Sequence, residues 1–159
     1  METYSRNKNV EIKGIPKQPD EQPLQVILKL AAAVKVPLKP EDIDVCHRVP
    51  SFGRKEEGKP PLIVQFTTRC KRDEFLKTSR RMRPTLGSLG YDKDSQAQIY
   101  VNEHLTPKKK VLLYEVAQWR KNNDWKFMWT DGGNIFVRKA QDTKAHKIDC
   151  LEDLSKPLQ

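Results

Sequence analysis

Three cysteines in 159 residues, with no CxxC pair among them, leave little room for cysteine-based chemistry. Cys46, Cys70 and Cys150 are odd in number and far apart, which argues against a disulfide framework and fits a reducing compartment. Their spacing to His47, His104 and His146 makes no zinc pattern, and Cys46 and His47, adjacent on an expected strand, point to opposite faces. No metal is expected. Long apolar runs are also missing: the longest, Val26 to Val34, is broken by Lys29 and is too short to span a bilayer. Met1 to Asn9 is polar and lacks the apolar centre of a secretion signal, so the reading is a soluble protein of the cytoplasm, the nucleus or both, without a membrane partner. With only seven glycines there is no phosphate-binding loop, and neither a nucleophile elbow nor a zinc-protease motif occurs. The acids lie scattered among lysines rather than paired. A non-enzymatic protein with no cofactor is expected.

What the chain has in excess is positive charge. Thirty Lys and Arg stand against twenty-one Asp and Glu, a formal net charge of +9 with a pI near 9.5. Such a balance favours polyanionic partners, because each phosphate neutralised releases condensed counterions. Hydrophobic residues make up 36%, clustered rather than diluted, which predicts folded modules with irregular connections.

The clusters have readable periods. Asn9 to Gly14 alternates apolar and polar residues, as a half-buried strand does. Leu24, Ile27, Leu28, Ala31 and Val34 mark one face of a helix closed off before Pro37. Glu41–Val49 reads as a second strand, Pro50–Pro60 as a loop, and Leu62–Phe66 as a third strand. Thr67 or Thr68 opens a helix to about Met82 with Phe75 and Leu76 inward; after the irregular stretch Pro84–Ala97, Ile99–Asn102 is a fourth strand. The order strand, helix, strand, strand, helix, strand is the βαββαβ, ferredoxin-like arrangement, with both helices on one face of an antiparallel sheet and the other face open. A second unit begins at Thr106-Pro107, with a helix carrying Leu112, Leu113, Val116 and Trp119. Lys126–Thr130 and Asn134–Arg138 flank Asp131-Gly132-Gly133, a hairpin signal; Lys147–Asp149 adds a short strand and Leu151–Gln159 a weak helical turn. The expected fold is α+β: an RRM-like domain over residues 1–104, then a small helix-plus-hairpin domain over 105–159, docked on the first because so few residues rarely hold a core alone.

The segments Lys8–Pro16, Pro61–Thr67, Ile99–Thr106 and the Trp125–Arg138 hairpin resemble the baculovirus few-polyhedra protein family. That family is similar to the first-open-reading-frame RNA chaperone of LINE-type retrotransposons. The resemblance spans about Lys8 to Ile148 and implies an RRM-like domain followed by a C-terminal domain that together grip single-stranded RNA or DNA. It also implies homo-oligomerisation through an upstream coiled coil; no heptad stretch precedes Asn9 here.

The sharpest candidate site is Arg69, Lys71, Arg72, Lys77, Arg80, Arg81 and Arg83, a span whose only acids are Asp73 and Glu74. On a helix, positions 69, 72, 76, 80 and 83 fall along one stripe, so four arginines line up to pair bidentately with phosphates. The competing reading is a solvated helix face. The resemblance favours binding, since arginines of this helix contact RNA in the LINE proteins. Lys108, Lys109 and Lys110 open the next helix, where free N–H groups suit a phosphate. A solubilising patch and a nuclear-import signal are the alternatives. Trp125, Phe127 and Trp129 share one strand face by alternation, and most such rows are core. Trp129, beside the turn, matches an aromatic that contacts RNA in the LINE proteins, where stacking contributes roughly 1–3 kcal/mol per base. Arg6 and Asn9 match a basic residue and an asparagine near the first strand, while Glu11 stands where an arginine would be; Lys13, Arg120, Lys121, Arg138 and Lys139 complete the candidates. The places where RRM sheets carry stacking aromatics hold Glu11, Pro61 and Ile63, leaving only Phe66. Binding dominated by backbone charge, with weak sequence preference, is expected. The rival reading is a structural or assembly protein whose RRM-like sheet binds another protein.

Overall fold

The computed structural model describes residues 6–50 and 58–155; most of the loop expected at Pro50–Pro60 and the last residues of the expected tail lie outside them. The chain is α+β, with antiparallel sheets and four α-helices among the described residues. It divides into two compact units: Lys8–His104, and a second that takes up the chain from Leu105.

In the first unit the elements are β1 (Asn9–Lys13), α1 (Pro23–Ala33), β2 (Ile43–Arg48), β3 (Leu62–Phe66), α2 (Arg69–Met82) and β4 (Tyr100–Glu103). The sheet order is β2-β3-β1-β4, each neighbouring pair antiparallel. The register sets Val10 opposite Val64 and Ile12 opposite both Leu62 and Val101, so alternation collects these residues on one face. There they pack with Ile27, Leu30 and Ala31 of α1 and with Phe75 and Leu76 of α2. Phe66 and Phe75 meet as tilted rings 5.6 Å apart. Each such fully buried side chain stabilises the fold by about 1.5–3 kcal/mol.

Local chemistry fixes the helix ends. α1 starts at Pro23, whose ring presets φ and whose missing N–H is no loss at that position. Thr68 caps α2 by accepting the Lys71 N–H at 3.2 Å. Arg83 closes α2 in the left-handed region (φ 49°), and Pro84 prevents its continuation.

The second sheet face differs from the expected open platform. Glu11 and Ile63 face each other across β1 and β3 on that side, yet they are only 6% and 5% exposed. Solvent reaches the edge positions Val45, His47, Tyr100 and Asn102 instead.

One buried ion pair ties distant parts of this unit. Arg48 donates from Nε to Glu21 Oε2 at 2.6 Å and from Nη2 to Oε1 at 2.9 Å. Its Nη1 also reaches the carbonyls of Ile15 (2.8 Å) and Pro60 (2.6 Å), and Nη2 that of Pro16 at 3.2 Å. Both side chains are almost fully buried. One planar guanidinium thus pins the chain after β1, the approach to α1 and the segment just before β3.

The second unit contains α3 (Pro107–Asn122), β5 (Phe127–Asp131), β6 (Asn134–Arg138), β7 (Ala145–Ile148) and the short α4 (Glu152–Ser155). Its sheet runs β5-β6-β7, antiparallel throughout. Gly132 and Gly133 both have positive φ (59° and 81°), which the two-residue hairpin turn requires. Thr106 caps α3 by accepting the Lys109 N–H at 3.2 Å. Val116, Trp125, Ile135, Val137 and Ile148 form the core, with Leu112, Leu113, Trp119, Met128 and Leu154 against it.

Trp125 departs from the expected strand row. Asp124 is left-handed (φ 56°) and the Trp125 N–H bonds back to the Arg120 carbonyl at 3.0 Å, so this tryptophan belongs to the turn that closes α3 rather than to β5. Alternation begins only at Phe127. The Trp125 ring lies inside, 5.1 Å from Trp119 and 5.8 Å from His146.

Candidate nucleic-acid interface

The inward face of α2 is set by Phe75, Leu76 and Ser79, and Arg72 falls on the same side because it precedes them by one and two turns. Arg72 is 6% exposed. Its Nε donates to the Asn9 carbonyl at 3.0 Å and its Nη1 to Asp73 Oδ1 at 2.9 Å. It locks α2 to β1 rather than facing solvent, so the arginine stripe differs from the one predicted. The outward positions are Arg69, Lys77, Arg80, Arg81 and Arg83, all exposed. Lys71 is half-buried and engaged with the Pro37 carbonyl (3.2 Å) and Glu74 (3.3 Å). Arg69 lies 3.8 Å from Asp73, an exposed pair of little energetic weight that a phosphate could displace.

At the start of α3, Lys108 is exposed and Lys109 and Lys110 are half-buried. Thr106 occupies one of the N-terminal N–H groups that a phosphate would have used, and Pro107 has none to offer.

The most organised arrangement of candidate residues is on the three-stranded sheet. Phe127 pairs with Arg138 and Trp129 with Phe136 across β5 and β6, which puts all four on the face opposite Met128, Ile135 and Val137. The Trp129 and Phe136 rings stack at 5.6 Å and 15°. The Arg138 guanidinium lies 4.9 Å from the Phe127 centroid and 5.7 Å from that of Trp129, and Lys126 Nζ sits 5.6 Å from Phe127. All four of these sheet residues are half-buried, and Arg138 Nε is a buried donor without a hydrogen-bond partner. A flat π surface with a guanidinium resting on it suits a nucleobase beside its phosphate.

Of the predicted residues, this face unites Trp129 and Arg138. Phe136 was not among them, although its signal was present: once Gly132 and Gly133 form the turn, the register places Phe136 opposite Trp129. Lys139 is exposed just beyond β6, and Arg120 is spent locally, donating to the Trp125 carbonyl at 3.2 Å.

Asn9 is half-buried at the start of β1, with Nδ2 3.1 Å from His104 Nδ1 and Oδ1 buried without a partner. Arg6 is also half-buried. Cys46 and His47 do point to opposite sides of β2, Cys46 against the core and His47 to solvent; burial pushes the Cys46 thiol pKa up. Among the described residues no group of His, Cys, Asp and Glu is placed to hold a metal ion, and no helix is long and apolar enough to cross a membrane.

Residues 106–158 match the family model described as Baculovirus FP protein domain 2, a span that contains α3, the three-stranded sheet and its aromatic face. The match supports the likeness to the few-polyhedra family over that region. No curated protein matches the chain.

Proposed function

We propose that this chain is a non-enzymatic protein that binds single-stranded nucleic acid, RNA in preference to DNA, mainly through the backbone and with weak sequence preference. The observation that carries the reading is the outer face of β5 and β6, where Arg138 lies across Phe127 and Trp129 beside the Trp129–Phe136 stack. The exposed cations of α2 add a row suited to phosphates. The strand order β2-β3-β1-β4, with one helix after β1 and one after β3, supports an RRM-like, ferredoxin-type reading of the first unit. With it goes the resemblance to the RNA-binding protein of LINE-type retrotransposons, and an origin in a virus or mobile element. A chaperone role, a cytoplasmic or nuclear location and an oligomer built through sequence outside this chain belong to the same proposal. Arg72 is assigned a structural role within it.

Fluorescence anisotropy with labelled single-stranded RNA and DNA, titrated across salt, tests this. Binding should weaken as salt rises, weaken with Arg80→Ala/Arg81→Ala, and drop about tenfold with Trp129→Ala. Absence of binding at low salt would reject the proposal.

A second reading, a structural or assembly protein, is favoured by Val45 and Tyr100, large apolar side chains 47% and 52% exposed on the edge strands of the four-stranded sheet. Failure to bind nucleic acid, with a stable protein complex lost on Tyr100→Ser, would move the assignment there.

A further inference from the structure

α3 is apolar on two sides. Its inward side, Leu112, Leu113, Val116 and Trp119, packs on the sheet. A helix in a two-layer unit needs one apolar stripe, yet α3 has a second: Val111 and Tyr114, three residues apart and each 60% exposed. At about 100° per residue, Lys110, Gln118 and Lys121 fall on the same side as Tyr114, and Lys108 flanks Val111. Glu115 is the helix's sole acid. This side therefore presents an exposed phenol with cations around it, and a neighbouring apolar group, Val111, with Lys108 on one turn and Glu115 on the next.

The direction it faces matters. Met128, Ile135 and Val137 point toward α3, whereas Phe127, Trp129, Phe136 and Arg138 point away from it. The outer side of α3 and the aromatic face of the sheet are on opposite layers of one small unit.

We infer that the outer face of α3 is a second contact for single-stranded nucleic acid, so that this unit holds two strand segments at once, one on each layer. The inference rests on the function proposed above. Lys108, Lys110 and Lys121 match a phosphate backbone in sign, and Tyr114 offers a ring against which one base stacks. A second copy of the chain fits poorly, since a twofold contact would set these lysines against themselves. An uncharged apolar partner would strip water from the lysines without replacing it.

The full chain is mixed with two short oligothymidylates, one carrying a donor dye and one an acceptor, which cannot pair with each other. Energy transfer is expected, with two oligonucleotides per chain by sedimentation. Tyr114→Ala/Lys121→Ala, both at surface positions, should cut transfer about tenfold while affinity for the first oligonucleotide stays within about threefold. One oligonucleotide per chain without transfer, or undiminished transfer in the variant, would overturn the second contact and leave the proposed function standing. Loss of a protein oligomer in the variant would overturn it in favour of a copy-to-copy interface. Displacement of the second strand alone by oligoglutamate, at equal concentration of charge, would reassign the face to acidic protein. No bound oligonucleotide at all would remove the proposed function, and this inference with it.

Discussion

Glu21 and Arg48, 27 positions apart, share two hydrogen bonds in a site with little access to water. The bonds from Arg48 hold the Glu21 carboxyl below the usual carboxylate range, despite the opposing effect of burial. An unfolded glutamate titrates at roughly 4.3, so the extra stability is complete above that pH and is lost as pH falls through the lower folded value. Glu21→Gln should cost about 3–5 kcal/mol at neutral pH, because it strands a buried guanidinium. Urea unfolding across pH would show it: the gap between wild type and variant should narrow on acidification, and a gap independent of pH would refute the linkage. Arg72 makes a parallel case. Arg72→Ala should cost about 2 kcal/mol through the orphaned Asn9 carbonyl and the lost packing, measured by the same unfolding experiment. Affinity of the folded variant for RNA should change by less than about twofold. Neither pairing was legible in the sequence, since long-range partners leave no local period.

The elements were far more readable, because apolar spacing and caps are local. Thr68, Thr106 and the Gly132-Gly133 turn sit at the boundaries that their chemistry predicts. Thr68→Ala should lower the melting free energy by about 1 kcal/mol, seen in thermal unfolding, with α2 otherwise intact. A charge pattern misleads wherever the apolar pattern on the same helix disagrees with it. The predicted arginine stripe ran through position 76, yet Leu76 is core, and the turn that buries it also buries Arg72. Alternation links Trp125 to Phe127 only within a continuous strand, and β5 begins at Phe127, after the left-handed Asp124. Arg80 and Arg81 remain on the outer side of α2. Removing both should reduce the slope of log affinity against log salt by about 1.4, two phosphates at roughly 0.7 each. An unaltered slope would mean that the helix is merely solvated.

At the scale of the molecule, a net charge of +9 fixes a sign but not a site. The wild-type salt slope should be about −3 if most of the exposed α2 cations meet phosphates, and anisotropy at four or more salt concentrations will measure it. The sequence pattern carried the order of the elements along the chain, since period and turn chemistry agree along each unit. It could not carry the burial of Glu11 and Ile63 on the second sheet face, because alternation assigns a residue to a face without saying how exposed that face is.

The latch around Arg48 also bears on how the protein can be instrumented. Arg48 bonds the Pro60 carbonyl, and the Val49 N–H bonds that of Pro61 at 2.8 Å, so the two ends of the connection between β2 and β3 are fastened together. Closing a longer loop between fixed ends costs only about 0.6 kcal/mol per doubling of its length. The span between Val49 and Pro60 is accordingly the place to graft an affinity tag or a dye-bearing peptide, a handle anchored at both ends on a sequence segment apart from α2 and from the β5–β6 hairpin.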